Sequence, residues 1–156
     1  MIKKQFQPQN EKTFIRDGRA PIPSNETVSR LMSSNKYKNT KPEMVLRNYL
    51  WHHEVRGYRL NLKNIPGRPD ICFPGRKVAI FVHGCFWHRC PYCALQLPKT
   101  HTEFWRSKFL RNEERDARKK EELENSGWRV VIIWECQIKK DLNECLQTIK
   151  DFVQSN

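Results

Sequence analysis

Pro66-Gly67-Arg68-Pro69-Asp70-Ile71-Cys72-Phe73-Pro74-Gly75-Arg76-Lys77-Val78-Ala79-Ile80-Phe81-Val82-His83 is the stretch that decides the fold class. The Pro-Gly-Arg-Pro segment at 66–69 has the composition of a turn, and Asp70 to Phe73 reads as the start of a strand. Pro74-Gly75-Arg76 turns the chain again. Residues 77–83 then enclose Val-Ala-Ile-Phe-Val, an unbroken apolar run that suits a strand buried on both faces. Upstream, Thr40-Lys41-Pro42-Glu43 announces a helix, with Thr at the N-cap, Pro in the first turn and Glu three residues on. That helix should run to about Val55 and bury Leu46 and Leu50. Before it a short helix is expected over 28–32, broken by Ser33-Ser34-Asn35-Lys36. Downstream, residues 102–126 read as one long helix closed by Gly127, with Trp105, Phe109, Asn112, Asp116 and Leu123 on one side. Residues 128–134 form a second buried strand and 142–153 a last helix. Helix, paired strands, helix, strand, helix is the order of an α/β sandwich around a mixed sheet.

A chain of 156 residues fits one compact domain. Residues 1–26 mix Gln, Asn, Pro, Lys and Gly with scattered apolar residues, which predicts a basic arm, or a segment disordered until bound, ahead of a single domain over 27–156. Lys and Arg outnumber Asp and Glu by 29 to 17, a net charge of +12, and residues 1–41 hold nine basic against three acidic side chains. Such an excess fits a partner with many negative charges, nucleic acid first, although a solvated basic surface explains charge alone. No secretory signal follows the polar start, and no segment approaches the roughly 20 apolar residues of a membrane span. A cytoplasmic, reducing setting is therefore expected, in which the six cysteines serve as core thiols or metal ligands.

Cys85, Cys90 and Cys93 crowd together, the last two as C-x-x-C, and Cys136 follows the end of a predicted strand. Four thiolates suit tetrahedral zinc; buried thiols or a redox pair are the alternatives, and a redox pair belongs where a strand gives way to a helix. Cys72 and Cys145 lack such company and read as core residues. Asp70, where a turn feeds a strand, can hold a hard cation against a phosphate, but an Asp after Pro is by itself far more often a turn residue. His83-Gly84-Cys85-Phe86-Trp87-His88 changes the weighing, because two imidazoles and two large aromatics leave the same strand end. Imidazole suits proton transfer near neutral pH, and aromatic rings stack on bases or wedge between them. Either histidine could instead be a zinc ligand or a hydrogen-bonded core residue. Asn112 and Asp116, four apart and sharing a face with Phe109, point inward, to a function or to a salt bridge with Arg or Lys. Glu43 is explained by a capping box alone.

The blocks Pro66 to Asp70, Phe81 to His88, Thr102-Glu103-Phe104-Trp105, Asn112 to Asp116 and Trp128 to Cys136 occur here in an order that resembles the very-short-patch repair (Vsr) DNA mismatch endonucleases. The resemblance extends roughly from Val28 to Cys136. It implies a restriction-endonuclease-like three-layer sandwich with a structural zinc, and a magnesium-dependent cut of one strand 5′ to the thymine of a T:G mismatch left by 5-methylcytosine deamination. Carried over by position, Asp70 is the central magnesium ligand and the backbone carbonyl of Val82 a second one. His83, His88 and Asp116 are the surrounding catalytic groups, with Glu43 as an accessory acid. Cys85, Cys90, Cys93 and Cys136 are the zinc ligands. Phe86, Trp87 and Trp105 resemble the aromatic wedge, and Met32 and Asn112 are further expected DNA contacts.

Two departures from the family pattern stand out: a cysteine set with shifted spacing where a histidine is usual among the zinc ligands, and Val82 in place of threonine. Double-stranded DNA with a T:G mismatch is the implied partner of a monomer, in functional association with a cytosine-5 methyltransferase and with possible repair recruitment factors. The alternatives are a restriction-type nuclease on the same scaffold and a non-catalytic, zinc-stabilised nucleic-acid-binding protein.

Overall fold

The computed structural model describes residues 21–23 and 25–155, so the arm expected over 1–26 lies almost wholly outside the described residues. The chain divides into two compact units, 1–35 and 36–156. The first contains helix α1, Glu26–Ser34, started by Asn25, whose side chain accepts the Val28 N–H at 2.9 Å. That cap begins the helix two residues earlier than the apolar pattern at 28–32 suggests.

The second unit holds α2 (Lys41–His52), β1 (Ile71–Phe73), β2 (Val78–His83), α3 (Thr102–Asn125), β3 (Arg129–Trp134), α4 (Glu135–Lys140) and α5 (Leu142–Gln154). The sheet is mixed, as expected: β1 runs antiparallel to β2 with Ile71 opposite Ile80, and β3 runs parallel to β2 with Val78 opposite Arg129 and His83 opposite Trp134. Strand alternation splits the core in two. Ile71, Phe73, Val78, Ile80, Val82, Val131 and Ile133 pack with Leu46 and Leu50 of α2, Ile138 of α4 and Leu146 and Ile149 of α5. Cys72 and Ala79 face the other way, with Leu123 of α3 and, partly buried, Phe81, Trp128 and Val130. Helices on both faces of a sheet make three layers.

The central strand β2 is buried on both faces, apart from half-buried Phe81. The third strand is less enclosed than expected. It lies at the sheet's edge, and only Val131 and Ile133 are fully buried. The second helix also stops short of Val55, at His52, because Glu54 turns into the left-handed region at φ +59°. The fourth helix has no counterpart in the sequence reading; it starts where the Gln137 side chain accepts the Trp134 N–H at 2.8 Å. Cys72 and Cys145 are core residues, the first beneath α3 and the second among α5's apolar contacts.

Candidate active site

The turn before β1 sets the first catalytic candidate. Gly67 has φ +74°, and a Cβ there would stand 3.1 Å from the Phe81 ring and 3.3 Å from Lys119 Cβ, so both backbone and space call for glycine. Pro69 is wholly buried, and the next side chain, Asp70, accepts the Val82 N–H through Oδ2 at 2.7 Å. In an extended strand the N–H and C=O of one residue point to the same edge, so the Val82 carbonyl also faces the Asp70 side. Burial pushes the Asp70 carboxyl up to about 6; the Val82 hydrogen bond opposes this, Glu43's charge adds to it, and the charges of Arg47 and His88 oppose it. Desolvation wins because it disfavours the charged form directly.

His83 ends β2, 8% exposed, and its ring lies flat on that of His88 with centroids 3.9 Å apart and planes 12° from parallel. Burial and the neighbouring His88 charge pull His83 down to about 4, against the pull of Asp116, so it is neutral at neutral pH. Asp116, on α3, hydrogen-bonds His88 Nδ1 and takes Arg115 at 3.2 Å on its other oxygen. Burial pushes the Asp116 carboxyl up, yet the bond to His88 and the charges of His88, His83 and Arg115 together hold it below the usual range. Ligand atoms of His83, His88 and Asp116 lie within 4.8 Å of one another; Asp70 and Glu43 stand outside that trio.

Glu43 is 3% exposed, which a plain capping box does not require. The Thr40 hydroxyl makes no bond to the helix backbone and instead donates to Glu43 Oε1 at 2.8 Å. Glu43 Oε2 accepts the Asn39 N–H and the Arg47 guanidinium, each at 2.8 Å. Arg47 and Asn39, which the sequence reading did not single out, hold Glu43 in place. The signal was present, since Glu43 and Arg47 are four apart on a helix.

Beyond His83 the loop carries Cys85, Cys90 and Cys93, and Cys136 sits in the first turn of α4, just past β3. The parallel pairing of His83 with Trp134 brings the two segments side by side, and all four sulfurs lie within 4.8 Å of one another. Cys90 and Cys136 are 3.6 Å apart, and the Cys136 N–H donates to Cys85 Sγ at 3.3 Å. Four sulfurs around a zinc ion at about 2.3 Å stand ~3.8 Å from each other, which the 3.6 Å pair approaches. The cluster can hold one metal ion without either histidine.

The aromatic residues form one nest. Phe86 meets Trp87, Trp105 and Phe109 edge-on, with centroids 5.1 to 5.4 Å apart. Trp105 stacks on Phe109 at 5.6 Å and is buried, while Phe86 and Trp87 are half-buried. Asn112, expected at the DNA, is also buried, and its side-chain amide donates to the Trp87 carbonyl at 2.9 Å. It fastens the His83–His88 loop to α3. Met32 lies on α1, in the first unit.

Residues 22–94 match the family model described as DNA mismatch endonuclease Vsr. The chain is 44% identical over 108 residues to the type II nicking enzyme V.XorIIP of Xanthomonas oryzae pv. oryzae, covering 69% of this chain and 79% of that protein. It is 39% identical over 122 residues to the type II nicking enzyme V.NmeAIP of Neisseria meningitidis serogroup A, covering 74% and 86%. Over 82 residues, 53% of each chain, it is 43% identical to the DNA mismatch endonuclease Vsr of Escherichia coli K12. With acids and imidazoles gathered at the strand ends of a mixed sheet, these likenesses define a DNA endonuclease. The chain belongs to the Vsr family of DNA mismatch endonucleases.

Proposed function

We propose that this endonuclease nicks one DNA strand 5′ to the thymine of a T:G mismatch, with magnesium at the active site and zinc in the cysteine cluster of a restriction-endonuclease-like fold. The observation that carries the reading is the convergence on the end of β2 of the Asp70 carboxylate and the His83, His88 and Asp116 trio.

The residues present fit a magnesium ion. Asp70 and the Val82 carbonyl would offer two hard oxygens from a rigid strand end, and a carboxylate that burial pushes up to about 6 is one that a divalent cation stabilises. Magnesium, when bound there, supplies Lewis-acid charge against the scissile phosphate. Asp116 holds His88 through Nδ1, which leaves Nε2 as the nitrogen able to take a proton from the attacking water. His83, kept neutral and stacked on His88, orients that water. The water oxygen bonds to phosphorus, the bond from phosphorus to the 3′-oxygen breaks, and that oxygen takes up a proton. The products are a 3′-hydroxyl and a 5′-phosphate on the thymine side.

Phe86 and Trp87 are the wedge, resting on Trp105 and Phe109 as a platform. Unstacking a base step costs a few kcal/mol, least where pairing is already faulty, which favours a mismatch. Asn112 positions the wedge loop, and Met32 is a further DNA contact from α1. The proposal includes one endonuclease domain over 27–156, a monomer at work in the cytoplasm, and association with a cytosine-5 methyltransferase as the upstream source of deaminating 5-methylcytosine. No helix among the described residues is long and apolar enough to cross a membrane.

The test is incubation with magnesium and matched or T:G-mismatched duplexes of varied flanking sequence. Nicking of the thymine strand alone is expected. Cleavage of both strands of a matched duplex would replace this reading with a restriction-type nuclease, and mismatch binding without any cleavage would leave only a nucleic-acid-binding module.

A further inference from the structure

Glu43 and Arg47 form an ion pair that is 3% and 7% exposed at the side chains, one helical turn apart on α2. Burying an ion pair is seldom a gain in stability over apolar packing, so its presence asks for another reason. Three donors grip the Glu43 carboxylate: the Thr40 hydroxyl, the Asn39 N–H and Arg47. Arg47 is itself forked, giving its second terminal nitrogen to the Asn39 side-chain oxygen at 2.6 Å. Its Nε is buried with no hydrogen-bond partner among the described residues, a cost that a residue serving packing alone would not carry. Asn39 closes the ring by adopting a left-handed backbone at φ +53°, which turns both its N–H and its side chain toward the pair. The charges of both act on the Asp70 carboxyl, Glu43 raising it and Arg47 lowering it.

We infer that Arg47, braced by Asn39, is a positioning residue that holds the Glu43 carboxylate in a fixed orientation and offsets its negative charge toward Asp70. Glu43 then acts on the cation site through its charge, which raises the Asp70 carboxyl, and Arg47 touches neither substrate nor cation. A lysine could not replace it, because an ammonium is a point donor and cannot bridge the carboxylate and the Asn39 oxygen as a planar fork does. This inference rests on the cation site proposed above.

The experiment is a double-mutant cycle over Glu43→Gln and Arg47→Lys in the full chain with its zinc in place. Two quantities are read: the magnesium concentration that half-saturates the rise in melting temperature, and kcat and KM for nicking of a T:G duplex. Arg47→Lys should weaken the magnesium midpoint and kcat by about 10-fold, no more than loss of a group directly supporting a metal ligand does, with KM for DNA unchanged. In the Glu43→Gln background the same substitution should have no further effect. An equal loss in both backgrounds overturns the inference, since Arg47 would then act independently of Glu43. A wild-type melting temperature that ignores magnesium also overturns it.

Should Arg47→Lys fail to fold, Asn39→Gly carries the same cycle, because glycine keeps the left-handed backbone while removing the oxygen that braces Arg47. Absence of nicking at any T:G duplex would refute the substrate reading alone. The magnesium midpoints read by melting would still decide the role of Arg47.

Discussion

Asp70 opposes the fold at the position where the proposed reaction needs a carboxylate. Burial raises its carboxyl to about 6 in the folded chain, against 3.8 for a freely solvated aspartate, so between these values the folded state binds the proton more tightly than the unfolded state. Stability without magnesium therefore falls as pH rises from about 4 through 6, and the loss is complete above that. Asp70→Asn removes the penalty: at pH 8 without magnesium the variant should be more stable by about 1 to 3 kcal/mol, a gap that closes toward pH 4. Denaturant melts at the two pH values check this, and the same variant should lose nicking while keeping zinc and duplex affinity. Asp116→Asn should lower kcat about 10- to 100-fold with KM nearly unchanged, because His88 loses the partner that fixes its tautomer. At this scale the sequence was partly legible. Taken singly, Asp70 read as a turn residue and Asp116 as half of a salt bridge; only their coincidence with His83 and His88 and their place in the family pattern set them apart. Arg47 did not stand out, since a basic residue on a helix reads as solvated until its burial is known. Asn112 has the chemistry of a base contact, and only coordinates show its amide already engaged by Trp87.

Among the elements, those with strong local signals were legible. The apolar run of β2 and the long α3, which ends at Asn125 and is closed by the left-handed Gly127 at φ +78°, follow the sequence pattern closely. The fourth helix escaped because six residues carry too little periodicity to separate from a loop. The early end of α2 depends on a left-handed Glu54, a conformation that no residue type announces. The turn into β1 allows a sharper test. Gly67→Ala places a methyl group 3.1 Å from the Phe81 ring on a left-handed backbone, and should cost about 1 to 3 kcal/mol by strain of this kind. Chemical denaturation measures the cost. Nicking should fall further than stability predicts, because the same turn aims Asp70.

For the molecule as a whole, charge and the sulfur cluster make separable predictions. A net charge of +12 should give duplex affinity that falls log-linearly with salt, since phosphate contacts release counterions. Filter binding over a salt series checks the slope. Cys136→Ser should abolish the one zinc per chain that metal analysis is expected to find, and lower the melting temperature by several degrees, as loss of a structural metal does. The α/β class was readable because element order alone fixes it, whereas the layering of the two cores needed the strand alternation in three dimensions.

Parallel pairing of β2 with β3 carries a consequence for how the chain is assembled. The two strands are separated in sequence by the whole of the cysteine loop and α3, so their contact closes a long loop, a slow event for an entropic reason. A slip of one residue would turn Val131 and Ile133 away from the larger core. Cys136 docking on Cys85 acts as a latch that admits one alignment. A nascent chain lacks that latch until Cys136 has been synthesised, so fragments ending before it should fail to nick DNA, which a nicking assay on truncated chains checks.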